Sequence, residues 1–283
     1  MFLCLVLLTG CGLKTGYAPS SVTVHRGAVN ANAPAPIDSV RVVSWNIRYG
    51  ENLEQAIDEI RANPELAGAD IILLQEMGPD GTRRMAEELG MHHIYGGAAV
   101  HPHHKKLFGN AVLSRWPIIN DKVLILPHET LLTGHRRIAV AADIDLGGMT
   151  VRAISIHTAT VVMDQGKRIE QAKAARDSLG GFAGPVVIGG DYNTVSEYDV
   201  TLLRQVMRRL RMKTVRLPAG PTISNKYKKL PGSESVLDHI FCKEFEPGSR
   251  GVVRQALASD HYPIWAVLAV PKPEDRAKKE NSP

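Results

Sequence analysis

The run Pro185-Val186-Val187-Ile188-Gly189-Gly190-Asp191-Tyr192-Asn193-Thr194 decides how this chain is read. Its aliphatic residues predict a buried strand, and a carboxylate and an amide follow where that strand ends. Asp191 and Asn193 are two apart, so extended backbone sends both side chains to one face. Gly189 and Gly190 let the backbone come close to whatever those side chains hold. An acid beside an amide at a strand terminus suits a hard cation that carries a phosphate. Gly-Asp pairs also make ordinary turns, so the reading depends on how the other strands end.

Five other apolar runs carry polar residues at or near one end. Ser39 to Ile47 is apolar on both faces, the pattern of a central strand, and it delivers Asn46. Asp70-Ile71-Ile72-Leu73-Leu74-Gln75-Glu76 is a second buried strand closed by Glu76. A carboxylate directly after aliphatics is costly to bury unpaired; a metal, an N-cap or a surface turn would each account for it. Thr150 to Ile156 delivers His157, and Val236 to Phe241 carries Asp238. Asp260 and His261 precede the strand Ile264 to Val270. In isolation Asn46 is equally a turn residue and His157 equally a structural imidazole.

Helical spacing separates these strands. Leu53, Ala56, Ile57 and Ile60 form one apolar face. Thr82 to Leu89 and Lys167 to Leu179 read as further helices. Ser196 and Asp199 resemble a capping box ahead of a helix that buries Val200, Leu203, Met207 and Leu210. Gly109 to Ile118, Val123 to Leu126 and Arg137 to Ile144 read as strands. Alternating elements with some consecutive strands predict an α/β fold with mixed sheets, in one domain over 38–270.

The chain has 283 residues, 44% hydrophobic and 22% charged, with a net charge of +5 and a pI near 9.1. The closest clusters of charge are Arg208, Arg209, Arg211 and Lys213, then Lys226, Lys228 and Lys229. That charge is too dilute for a basic surface module to be the main role. Cys4, Cys11 and Cys242 give no disulfide framework; Cys242 reads as a core thiol. His92, His93, His101, His103 and His104 crowd a Gly-rich stretch read as a loop shaping substrate access. Their spacings match no closed zinc pattern.

Phe2 to Leu8 is an apolar run too short to span a bilayer. It ends in Leu8-Thr9-Gly10-Cys11, which resembles a bacterial lipoprotein signal with Cys11 as the acylated residue. No Lys or Arg precedes the run, which leaves open an upstream start or a plain secretory leader. Residues 1–10 are thus expected to be a signal peptide, 11–37 a flexible tether and 271–283 a disordered tail. The resulting expectation is a monomer in the bacterial cell envelope, outside the cytoplasm, held to the membrane by a lipid anchor.

The words Ser44-Trp45-Asn46, Leu74-Gln75-Glu76, Ser155-Ile156-His157-Thr158, Gly190-Asp191-Tyr192-Asn193, Leu237-Asp238-His239-Ile240 and Ser259-Asp260-His261-Tyr262-Pro263 occur in this order. Together they resemble the endonuclease/exonuclease/phosphatase superfamily. The resemblance implies a four-layer α-β-β-α sandwich of two mixed sheets. It implies Mg²⁺-dependent cleavage of a phosphate ester, with Mn²⁺ as an alternative ion. Glu76 would be the principal metal ligand, helped by Asn46 and Asp260. Asp191 would orient the attacking water or touch metal, and Asn193 would donate to the phosphoryl oxygens. His261 would be the general base with Asp238 behind it, and His157 would bond a phosphate oxygen. In the pancreatic-type nucleases an Arg lies two residues after the matching Glu; here Gly78 stands there, and Arg136 and Arg137, opening a strand, would supply the phosphate contact instead. Nucleic acid, a lipid headgroup and a sugar phosphate all remain open as substrates. The alternative is a non-catalytic binder of a phosphorylated ligand on the same fold.

Overall fold

The central strands read from the sequence lie side by side in two sheets of a computed structural model, which describes residues 22–29, 37–101, 105–129, 134–160, 163–224 and 235–271. One sheet runs, edge to edge, β1 (Val24–Gly27), β4 (His92–Val100), β5 (Leu107–Ser114), β3 (Ile71–Met77), β2 (Ser39–Asn46), β13 (Ile264–Ala269) and β12 (Glu246–Val252). The other runs β10 (Lys213–Thr214), β11 (Asp238–Lys243), β9 (Val186–Asp191), β8 (Thr150–His157), β7 (Ile138–Asp145) and β6 (Ile118–Ile125). The β2–β3 and β8–β9 pairs are parallel and the other pairs antiparallel, so both sheets are mixed as expected.

Strand alternation sets the layers. Val40 and Val42 of β2 point between the sheets, against Val140, Ala153, Val187 and Ile240. Val43 and Trp45 point the other way, onto α1 (Leu53–Ala62) and α2 (Pro79–Leu89) through Ile57, Ile60 and Met85. The second sheet is covered by α3 (Gln165–Asp177) and α4 (Glu197–Arg208), through Ala172, Ala175, Leu203 and Met207. Fully burying each large aliphatic contributes about 1.5–3 kcal/mol. The result is the four-layer α-β-β-α sandwich. The capping box is present: Ser196 accepts from the Asp199 amide, and Asp199 from the Ser196 amide.

Several expectations are corrected. The 11–37 tether contains an ordered strand, since Val24–Gly27 pairs antiparallel with Gly96 to His93. His92 and His93 lie in β4 rather than in a loop, and they sit at the end of the sheet away from Glu76, because His92 pairs with Ser114 and Ser114 with Ile71. His103 and His104 lie outside the described residues. Leu210 falls beyond the end of α4 and is 37% exposed. The paired glycines are required by the packing of the fold itself. A Cβ at Gly190 would lie 1.8 Å from the Ile156 carbonyl oxygen of β8, and one at Gly189 would lie 2.8 Å from Leu73 Cδ1 of the opposite sheet. Cys242 is buried as expected, and burial pushes its thiol up to about 12. The 1–10 leader, Cys11 and residues 272–283 lie outside the described residues, and no described helix is long and apolar enough to cross a membrane.

Candidate active site

Parallel strands β2, β3, β8 and β9 all end at one edge of the sandwich, and that places their terminal polar residues together. The Asn46 amide donates to Asp191 Oδ2 at 3.1 Å, across from one sheet to the other. Asp191 pairs in register with His157 on one side and Asp238 on the other. His157 Nε2 stands 3.5 Å from Asp191 Oδ2 and 4.0 Å from Glu76 Oε1. His261 Nδ1 is 2.9 Å from Asp238 Oδ2, and its Nε2 faces Asp191 Oδ2 at 3.7 Å.

Glu76 reaches this cluster through a local break in β3. Leu74 pairs with Ala111 but Met77 with Gly109, so Gln75 and Glu76 share one opposing residue. This bulge leaves Leu74 and Met77 on the helix-facing core and turns two successive side chains toward the other sheet. Gln75 Nε2 donates to Ser155 Oγ at 3.0 Å, and Glu76 reaches His157. Glu76 takes φ 56, Asn193 φ 50, Arg48 φ 43 and Tyr49 φ 57. Left-handed backbone at a non-glycine residue costs about 1–3 kcal/mol; these four stand at or beside the site, while Lys105, His128, Arg211 and Glu244 adopt it elsewhere. Asn193 is therefore not extended, contrary to the two-residue periodicity. Its amide N–H donates to Asp191 Oδ1 at 2.9 Å and its Nδ2 to the Thr158 carbonyl at 3.2 Å.

Burial shapes the charges. It raises Glu76 to about 7, against the opposing pull of Arg137 and His261. Its side chain keeps 14% of its surface open, so water moderates that penalty. Burial likewise raises Asp191 to about 6. For His261, burial disfavours the proton, but Asp238, Asp191 and Asp260 outweigh it, and the imidazole is held well above its usual range. His157 is driven well below it, by burial and then by Arg137 and His261. Arg137 Nη1 can only donate, and it lies 3.2 Å from His157 Nδ1. That fixes the neutral tautomer with the proton on Nε2, facing Asp191 and Glu76.

All the predicted site residues within the described segments converge here, Arg137 included. Asp260 is the outermost: it is 32% exposed and 3.9 Å from Arg48 Nε. Sequence reasoning missed the supports. Trp45 Nε1 donates to the His261 carbonyl at 2.9 Å, and Ser259 Oγ to the Asn46 carbonyl at 2.7 Å. Thr222 Oγ1 accepts from the Leu237 and Asp238 amides at 3.0 and 3.2 Å. Trp45 and Ser259 stand inside the quoted words, which is the signal that would have found them; Thr222 gives none. Beside Glu76, Tyr49, His101 and Phe108 pack ring on ring, with centroids 4.4 and 5.5 Å from Tyr49. They line a cleft of about 490 Å³.

The donor set fits a hard divalent cation. Among the described residues no hydrogen bond reaches the buried Glu76 carboxylate, so a positive partner would offset its burial. Asp191, Asp238 and His261 also offer ligand atoms within 4.8 Å of one another, but His261 and Asp238 are already bonded to each other. Asn46 is oriented toward its neighbours, with Nδ2 on Asp191 and Oδ1 accepting from the Arg48 amide at 3.1 Å.

Comparison with known proteins agrees with this fold. The profile of the Endonuclease/Exonuclease/phosphatase family matches residues 43–261. The UPF0294 protein VP2298 of Vibrio parahaemolyticus is 27% identical over 118 residues, 41% of this chain but only 39% of that relative's length. The solved endonuclease/exonuclease/phosphatase of Beutenbergia cavernae superposes with a TM-score of 0.68 at 22% identity, covering 83% of this chain and 72% of that one. TDP2 of D. rerio, solved with a single-strand DNA product, gives 0.65 at 15% identity over 83% and 100% of the two chains. The mannosyl-6-phosphatase Bt3783 of Bacteroides thetaiotaomicron gives 0.61 at 17% over 82% and 100%. The chain belongs to the endonuclease/exonuclease/phosphatase family, whose members are hydrolases of phosphate esters.

Proposed function

We propose that this protein is a divalent-cation-dependent phosphoesterase that hydrolyses a P–O bond with water activated by His261. The observation that carries this reading is the His261–Asp238 pair at 2.9 Å, set beside Asp191 and Glu76, whose carboxylate accepts no hydrogen bond among the described residues. Asp238 fixes the imidazole with Nε2 toward Asp191, and Nε2 takes the proton from water. Asp191, 3.7 Å from that nitrogen, orients the same water. His157, neutral with its proton on Nε2, donates to a phosphoryl oxygen. Asn193 Nδ2 and Arg137 supply further donors as charge builds on the phosphoryl group. Glu76, with Asp260 and Asn46, would hold Mg²⁺ or Mn²⁺, which when bound neutralises phosphoryl charge and offsets the carboxylates that keep His261 protonated.

The similarity to TDP2 and to a mannosyl-6-phosphatase supports a phosphate ester as substrate without choosing its class. Gly78, where the pancreatic-type nucleases carry Arg, weighs against DNA. Acylation at Cys11 would hold the enzyme in the bacterial envelope; metabolic labelling with a palmitate analogue, lost in Cys11→Ser, tests that. For the substrate, a panel of plasmid DNA, RNA, phospholipid and sugar phosphate with Mg²⁺ is the direct test. Hydrolysis of one class, abolished by His261→Ala, is expected. Tight binding of all of them with no release of product would replace the enzyme with a binding protein.

A further inference from the structure

The turn after α4 carries a cationic surface that the catalytic chemistry does not use. From Thr201 to Arg216 the sequence holds Arg204, Arg208, Arg209, Arg211, Lys213 and Arg216 and no Asp or Glu. All six cations are exposed. Lys213 pairs with Glu246; the other five form no ion pair among the described residues. Four of them, Arg204, Arg208, Lys213 and Arg216, line a groove of about 500 Å³. Between Arg209 and Arg211 in the chain, Leu210 is 37% exposed, and Arg211 takes φ 57 to turn the chain there.

The fold places this surface at the end away from the site. Lys213 pairs with Cys242, and Cys242 with Val187, near the start of β9, the strand that ends at Asp191. Ser39, where the chain leads into β2, lies at the same end, since β2 also runs toward the site and stops at Asn46.

We propose that this end docks on an anionic lipid surface, with the arginines on headgroups, Leu210 in the interface and the catalytic end turned away. Unpaired cations are drawn to an anionic leaflet. Long basic side chains around one apolar residue suit a boundary where stems sink and charges stay wet. Single-stranded nucleic acid is gripped by aromatic platforms between cations, and 201–216 holds no aromatic residue.

The test is co-sedimentation of the full chain with vesicles of phosphatidylglycerol or of phosphatidylcholine. The expected result is salt-sensitive preference for phosphatidylglycerol that falls at least tenfold in Arg208→Glu/Arg209→Glu/Arg211→Glu. Leu210→Ser, which leaves every charge in place, should lower binding severalfold. The apolar leader is common to all variants, so the differences report this surface. The thermal midpoint and the turnover of a soluble phosphodiester should stay as in the wild type. That separates failure of this proposal from failure of the enzymatic reading. Equal binding to both lipids, or undiminished phosphatidylglycerol binding by the triple variant, overturns the proposal. So does a triple variant that keeps vesicle binding but loses binding to duplex DNA or RNA.

Discussion

Between the two sheets, the end near Ser39 and the end near Asn46 are built on opposite terms. At the first, Val40, Ile144, Val187 and Leu268 close an apolar interior. At the second, the same interface holds Asn46, Gln75, Glu76, Asn110, Ser155, His157 and Asp191, all but Glu76 fully buried. Glu76 and Asn193 take left-handed backbone there, Gln75 Oε1 and Thr158 Oγ1 have no partner among the described residues, and burial raises two carboxylates. The difference teaches where each property resides. One end supplies cooperative packing; the other gives up stability to hold charge away from water, the usual exchange between stability and activity.

The largest effect that could break this division is on turnover. His261→Ala should lower the rate of phosphodiester hydrolysis by roughly 10²–10⁴-fold, the worth of a positioned base, with an unchanged melting curve. A large loss of stability instead would make His261 a packing residue. Next, Leu268→Ala should cost about 2–5 kcal/mol in urea unfolding, while the rate per folded molecule stays at the wild-type value. Reduced turnover in that variant would mean the two ends are not separable.

Glu76→Gln should sharpen the contrast in the other direction. Removing a buried charge that no hydrogen bond reaches among the described residues should stabilise chelator-treated protein by up to about 3 kcal/mol at alkaline pH while turnover falls. A destabilised Glu76→Gln would show that the carboxylate is well paired without a cation.

The smallest effect concerns acid. Burial lowers His239 to about 4, and the ring is neutral beside Thr194 Oγ1 at 2.7 Å. Its folded pKa lies below the unfolded value, so the stability it supports is present above about 6.5 and is lost as pH falls toward 4. Glu76 and Asp191 work oppositely, since their raised values restore stability as pH falls through about 7 and 6. Comparison with His239→Gln isolates the histidine: between pH 7 and 4.5 the wild type should lose about 2 kcal/mol more. Equal losses would place the ring in contact with water.

Much of the site was legible because each strand announces its own end. Asn46, Glu76, His157, Asp191, Asp238 and His261 each follow or open an apolar run, and parallel pairing brings such ends to one edge. What was not legible depends on neighbours. β12 reads Glu-Pro-Gly-Ser-Arg-Gly-Val, with no alternation to mark an edge strand, and β1 is too short to carry a pattern. The His92–Val100 segment looks like a glycine-rich loop until β5 supplies its hydrogen bonds. The bulge at Glu76 is a matter of register with β5, so alternation alone sends that side chain to the wrong face. The packing role of Gly189 and Gly190 was not legible because their constraint comes from Leu73 and Ile156, distant in sequence.

The central claim, that an Asp-backed imidazole and a cation held at Glu76 cleave a phosphate ester, is tested most directly with bis(p-nitrophenyl) phosphate. Release of p-nitrophenol should require added Mg²⁺ or Mn²⁺, stop with EDTA, and vanish in Glu76→Ala that remains folded. Release that persists in EDTA, or in Glu76→Ala, would contradict it.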